Sequence, residues 1–209
     1  IHLFDAPLHN NFHVASTQGA NYDLRQIFDN TLVRYQPTLA VTFVENHDSQ
    51  PLQSLESVVE NWFKPLAYAL ILLREGGYPC VFYGDYYGAS YKDRGRDGQE
   101  YEIVLQSHRP MLDRLLQARH DCAYGKQYDY FDHSNTVGWT RLGTPEHPAS
   151  MAVVMSNGSM GTKWMEVGQP DTTYIDLTGA VATTIHTNSD GWGEFSCQGG
   201  SVSVWVSQS

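Results

Sequence analysis

The run Leu39-Ala40-Val41-Thr42-Phe43-Val44 is apolar at nearly every position and ends abruptly in Glu45-Asn46-His47-Asp48, with Pro51 marking a loop. Strand side chains alternate between faces, so apolar residues at successive positions mean that both faces are covered, as in a buried parallel sheet. On the N-terminal side, Ile1 to Leu8 holds a short strand ending near Asp5, followed by a polar loop with Ser16, Thr17, Gly19 and Asn21. Leu24, Ile27, Phe28 and Leu32 then fall on one helical face. On the C-terminal side, Val58 to Glu75 reads as helical, with Pro65 either kinking it or opening a second piece and Gly76-Gly77 stopping it. Pro79 to Tyr83 is another short buried strand, closed by Gly84-Asp85. Gly88 to Gly98 reads as a solvated loop, and Val104 to Arg119 as a last long helix bent at Pro110. Strand–helix three times over predicts a parallel sheet or barrel.

Past Tyr124 the pattern changes to period two: Val202, Val204 and Val206 interleave with Ser203 and Trp205. The dipeptides Asn157-Gly158, Asp190-Gly191 and Gly199-Gly200 supply turns. This predicts an antiparallel sandwich beginning near Ala123. The 209 residues suffice for one ordinary domain or two small ones, and the 41% apolar and 17% charged shares are those of a globular chain. With 13 Lys plus Arg against 23 Asp plus Glu, the net charge of −10 disfavours nucleic acid and anionic membrane surfaces as partners. No apolar run approaches the roughly 18–20 residues that span a bilayer. Cys80, Cys122 and Cys197 lack metal-type spacing, and an odd count reads as buried free thiols. Unpaired thiols favour a reducing compartment, although the sequence places the protein neither inside nor outside the cell. The chain starts at Ile1, and Leu3-Phe4 already reads as mid-strand, as expected of the C-terminal part of something longer.

Glu45-Asn46-His47-Asp48 carries the most chemistry. In βα folds the C-terminal ends of the strands share one ligand-binding mouth. The plain alternative is that Asp48 caps a following turn. Asp5 and Asp85 end neighbouring strands in the same way, so three acids could meet at one mouth, suited to acid/base work on a sugar or to a divalent metal. His9 and His13 are four apart, but their segment lacks helical periodicity, and an ordinary loop is expected rather than a metal pair. Trp62, Trp139, Trp164, Trp192 and Trp205 could stack sugars, with core packing the better expectation. His120 and Asp132-His133 are isolated.

Thr42-Phe43-Val44-Glu45-Asn46-His47-Asp48-Ser49-Gln50-Pro51 resembles the signature at the end of the seventh barrel strand in the α-amylase family of glycoside hydrolases. Gly77-Tyr78-Pro79-Cys80-Val81-Phe82-Tyr83-Gly84-Asp85 resembles the family's eighth-strand signature, and Leu3-Phe4-Asp5-Ala6-Pro7-Leu8-His9 with Ala15-Ser16-Thr17-Gln18-Gly19 the sixth strand and its loop. Gln53-Ser54-Leu55-Glu56-Ser57 and Trp62-Phe63-Lys64-Pro65-Leu66-Ala67-Tyr68-Ala69 look like the liquefying bacterial type and its fungal relatives. Tyr128-Asp129-Tyr130-Phe131-Asp132-His133 and Gly191-Trp192-Gly193-Glu194-Phe195 look like that group's C-terminal sandwich.

The resemblance implies strands six to eight of a (β/α)8 barrel over residues 1–122, then an antiparallel Greek-key β-sandwich over 123–209. It implies endohydrolysis of α-1,4-glucan with retention, by a protein monomeric when complete. His47 matches the histidine that hydrogen-bonds the sugar before the cleaved bond. Asp48 matches the third catalytic carboxylate, which favours the oxocarbenium-like transition state and helps keep the general acid protonated. The family's nucleophilic Asp and acid Glu lie on the fourth and fifth strands, so these residues alone are expected to be inactive. The principal calcium site of the family lies mostly upstream. A second calcium bridges barrel and sandwich in the liquefying group, at positions matching the carbonyls of Ala20, Tyr22 and Ser134 and the side chains of Asn135 and Asn157. The family pattern has Asp at the last two, so this site is expected to be weak or lost. Glu45 likewise replaces the usual Asp, keeping its charge. Rival readings are an α-glucan transglycosylase of the same family and a non-catalytic glucan-binding or assembly protein.

Overall fold

The computed structural model describes residues 1–208. Strands β1 (Leu3–Phe4), β2 (Ala40–Phe43) and β3 (Tyr78–Cys80) form a parallel sheet in that order, with Leu3 opposite Ala40 and Val41 opposite Tyr78. Helices α1 (Ala6–Gln18) and α3 (Lys64–Leu72) supply the covering layer. Leu3, Phe4 and Tyr78 stay more than half exposed.

Helix α1 occupies a stretch expected to be a strand end and a polar loop. Its buried residues are Leu8, His9, Phe12, Ala15 and Ser16, so the helical stripe exists but two of its five members are polar. Asp5 caps the helix, Pro7 sits in the first turn and Gly19 ends it. The expected helix from Leu24 to Leu32 is instead a 3-10 turn (Leu24–Gln26) and a short α2 (Leu32–Tyr35), separated where Asn30 takes a left-handed φ of 58°. The expected helix from Val58 opens only at Lys64-Pro65, because proline lacks an N–H and fits the first turn of a helix rather than its middle. Between α3 and β3, Gly77 has φ 86°, and a Cβ there would lie 2.7 Å from the Thr42 Cγ2.

The strand expected to reach Tyr83 stops at Cys80, and Tyr83–Tyr87 forms the short helix α4. The stretch expected as a solvated loop is a hairpin, β4 (Ala89–Arg94) with β5 (Glu100–Leu105), in register from Ala89 opposite Leu105 to Arg94 opposite Glu100. Its charges alternate with Tyr91, Tyr101 and Ile103, the period-two signal that charge density obscured. Val104 and Leu105 therefore belong to a strand, and α5 runs over Arg109–Cys122 with Pro110 in its first turn rather than at a bend.

The remaining strands are β6 (Gln127–Tyr130), β7 (Thr136–Arg141), β8 (Met151–Ser156), β9 (Gly161–Glu166), β10 (Thr173–Asp176), β11 (Ile185–His186), β12 (Trp192–Cys197) and β13 (Ser201–Ser207), and their pairings are antiparallel. Six of them form a sheet in the order β11-β10-β13-β8-β7-β6, and β12 with β9 forms a second sheet. Both faces of the large sheet are covered. Met151, Val153 and Met155 join one core with Leu66, Leu70 and Leu112 of the helices, while Ala152, Val154 and Trp205 pack in another with Met165 and Phe195 of the small sheet. The six-stranded sheet is thus layered between helices and a β-ribbon. All three cysteines are free, but Cys80, expected to be buried, is exposed at the end of β3.

Candidate functional site

Beyond β2 the chain stays buried through Val44 and Glu45, then surfaces at His47 and Asp48. Glu45 fixes this exit. Its Oε1 accepts the Val59 N–H at 2.6 Å, and its Oε2 accepts the Gln50 amide at 3.0 Å and the Ser49 hydroxyl. The Asn46 Oδ1 accepts the N–H groups of Asp48 and Ser49, both at 2.9 Å, closing the turn. The two exposed side chains are thereby held together, with His47 Nε2 3.4 Å from Asp48 Oδ1 and side-chain exposures of 85% and 43%. A groove of about 340 Å³ runs beside them, lined by His47, Gln50, Gln53, Phe82, Tyr83 and Tyr91.

Beneath the turn lies a charge cluster that sequence reading did not assemble. Lys64 Nζ is 2.6 Å from Asp85 and 3.8 Å from Glu45, and the Tyr68 hydroxyl donates to Asp85 at 2.6 Å; all are buried. Burial pushes the Glu45 carboxyl up to about 7, against the pull of Lys64 and the donors of Ser49 and Val59. Burial also raises the Tyr68 hydroxyl and lowers His108, which lies near Asp85. A lysine immediately before a helix-opening proline was the available signal, since the first helical turn favours acids and a lysine there needs another partner.

The expectation of three acids at one mouth is corrected. Asp5 is fully buried and accepts the N–H groups of Leu8, Leu32 and Val33, tying α1 to α2. Asp85 is taken by Lys64 and Tyr68. Of the three only Asp48 reaches solvent, and it is His47 beside it that lines the groove. His9 and His13 do share a helix face, contrary to the loop expectation, yet they bond groups of the site segment rather than each other. His9 bonds the Val44 carbonyl at 2.7 Å and the Ser57 hydroxyl at 2.8 Å, and His13 bonds the Val58 carbonyl at 2.6 Å. They anchor both flanks of the site segment. Among the described residues no group of three or more His, Cys, Asp or Glu side chains could hold a metal.

The five positions linked by resemblance to a bridging calcium do meet. The Asn135 amide donates to the Ala20 carbonyl at 2.7 Å and to Asn157 Oδ1 at 2.9 Å; the Asn157 amide donates to the carbonyls of Gly19 at 2.9 Å and Tyr22 at 2.8 Å. The Ser134 carbonyl accepts the Leu24 N–H at 2.7 Å. Donors face these oxygens and no carboxylate is present, so the residues do not fit a calcium ion. Of the tryptophans, Trp139 and Trp205 are core, as expected, and the Trp62 indole donates to the Ser16 carbonyl at 3.1 Å. Trp164 instead is 56% exposed and stacks with Trp192 at 6.5 Å and 19° between planes, with Tyr130 edge-on to Trp192.

Residues 151–206 match the family described as α-amylase C-terminal. The chain is 54% identical over 207 residues to an α-amylase of Geobacillus stearothermophilus, and 52% identical over 209 residues to a glucan 1,4-α-maltohexaosidase of Bacillus sp. (strain 707). These matches cover 98% and 99% of the chain, which spans only 36% and 38% of the respective relatives. Its fold superposes on α-amylase I of Eisenia fetida, solved as a maltohexaose complex, with a TM-score of 0.71 at 13% identity, over 97% of this chain and 48% of that one. Over these residues the chain belongs to the α-amylase family and carries that family's C-terminal domain.

Proposed function

We propose that these residues are the C-terminal part of an α-amylase that cleaves internal α-1,4-glucosidic bonds of starch- or glycogen-type glucans with retention. In this reading β1, β2 and β3 are the sixth to eighth strands of a (β/α)8 barrel within residues 1–122, and residues 123–209 are the C-terminal sandwich. The observation that carries it is the turn after β2, where buried Glu45 and Asn46 hold His47 and Asp48 together on the surface beside a groove. Asp48 places negative charge where positive charge develops on the sugar, and His47 supplies a hydrogen bond to a hydroxyl of the same sugar. Asp48 cannot be nucleophile and proton donor at once, and with Asp5 and Asp85 sealed in the interior those two roles fall to other strands of the complete protein.

The test is proton NMR of the first products that the complete natural protein releases from a linear α-1,4-glucan. Fresh reducing ends of α configuration support the reading; β ends, or no hydrolysis, contradict it. Transfer to acceptor sugars in place of hydrolysis selects the transglycosylase. A glucan-binding role has one observation in its favour, exposed Trp164 stacked near-parallel on half-buried Trp192, since an exposed indole face can stack on a sugar ring. It alone requires binding of insoluble starch to survive Asp48→Asn and to fall with Trp164→Ala.

A further inference from the structure

A carbonyl oxygen only accepts hydrogen bonds, and a side-chain amide nitrogen only donates them, two at a time. At the junction of α1's end with the sandwich, both amide nitrogens are fully used. The Asn157 Nδ2 bridges the carbonyls of Gly19 and Tyr22 at 2.9 and 2.8 Å, and the Asn135 Nδ2 bridges the Ala20 carbonyl and Asn157 Oδ1 at 2.7 and 2.9 Å. The Ser134 hydroxyl donates to Asn135 Oδ1 at 3.0 Å, and the Asn157 N–H donates to the Asn135 carbonyl at 3.2 Å. Three carbonyls on one side of the junction are thus gathered around donors from the other side, as a cation would gather them. A calcium ion needs six to eight oxygens at about 2.3–2.6 Å, usually with anionic carboxylates among them. Here the oxygens face N–H groups, and the two side chains bring no charge.

We propose that Asn135 and Asn157 form a metal-free clasp, in which two amides replace a divalent cation in joining the Gly19–Tyr22 turn to the start of β7 and the end of β8. Each amide differs from a ligating carboxylate by one group, NH₂ for O⁻. Exchanging both therefore removes four hydrogen bonds and restores two charged ligands beside carbonyls already assembled.

The experiment uses the complete natural protein, with bound calcium per chain counted by equilibrium dialysis and melting followed in calcium and in EGTA. Asn157→Ala is expected to keep the wild-type calcium count and to melt a few degrees lower, by the same margin in either buffer. Asn135→Asp/Asn157→Asp is expected to bind one more calcium per chain, and to melt below wild type in EGTA but recover in calcium. Loss of one calcium from Asn157→Ala would overturn the proposal, because the wild-type site would then hold the ion. A folded double variant that gains none would also overturn it, and should that variant not fold, the count on Asn157→Ala still decides. Neither readout depends on whether the protein hydrolyses glucan.

Discussion

Glu45 is the residue on which the geometry of the site turns. Its carboxyl titrates at about 7, above the usual 4.5, chiefly through burial. The folded state therefore keeps this proton to higher pH than the unfolded state does. Its contribution to stability is complete below about pH 4.5 and is lost as pH rises through about 7. His9 acts in the opposite sense, since burial lowers its pKa and its contribution is lost as pH falls below the usual 6.5. Only a difference isolates Glu45. The stability of wild type minus that of Glu45→Gln, from urea titrations, is expected to decline between about pH 4.5 and 7 and to be level outside that window. A difference independent of pH would contradict the assignment. The site turn was legible because an apolar run ending in four polar residues has few other readings. Its supports were not: Lys64, Tyr68 and Ser57 lie far along the chain, and nothing local says that they meet Glu45, Asp85 or His9.

Among the elements, α3 is tied to the sandwich by Arg74, just past its end. The Arg74 guanidinium makes paired bonds of 2.8 Å to the Asp129 carboxylate of β6 and lies over Phe28, Phe131 and Trp139, at 4.7, 5.1 and 5.5 Å from the ring centroids. Lysine keeps the charge but loses the paired geometry and the planar stacking. Arg74→Lys is expected to cost about 1–3 kcal/mol in denaturant titration, and an unchanged midpoint would show the contact to be idle. Strands were read better than helices at this scale. β2 and β13 follow directly from apolar runs and alternation, whereas α1 was missed because His9 and Ser16 fill its buried stripe. Pro65 and Pro110 each open a helix: the alternative that Pro65 opens a separate piece holds, whereas starting one helix at Val58 and placing a bend at Pro110 overextended both.

At the scale of the whole molecule, the continuous core joins the two halves. Met151, Val153 and Met155 of the large sheet pack with the helical layer and not against the small sheet. The run Met151-Ala152-Val153-Val154-Met155, apolar at every position, is itself a signal of burial on both faces. Residues 123–209 expressed alone would expose that face and are expected not to fold cooperatively. Dispersed amide NMR signals with a sharp melt would contradict this. The 209 residues alone are expected to self-associate through Leu3, Phe4 and Tyr78 and the open sheet edges, whereas a soluble monomer with a sharp melt would argue against a continuing barrel.

The most direct measurement is the kcat of Asp48→Asn on soluble α-1,4-glucan in the complete natural protein, beside its melting temperature. Replacing this carboxylate by a neutral isostere is expected to lower kcat by about 10²–10³-fold or more while the melting temperature stays at the wild-type value. A variant that melts normally and hydrolyses within tenfold of wild type would contradict the placement of Asp48 in the catalytic set.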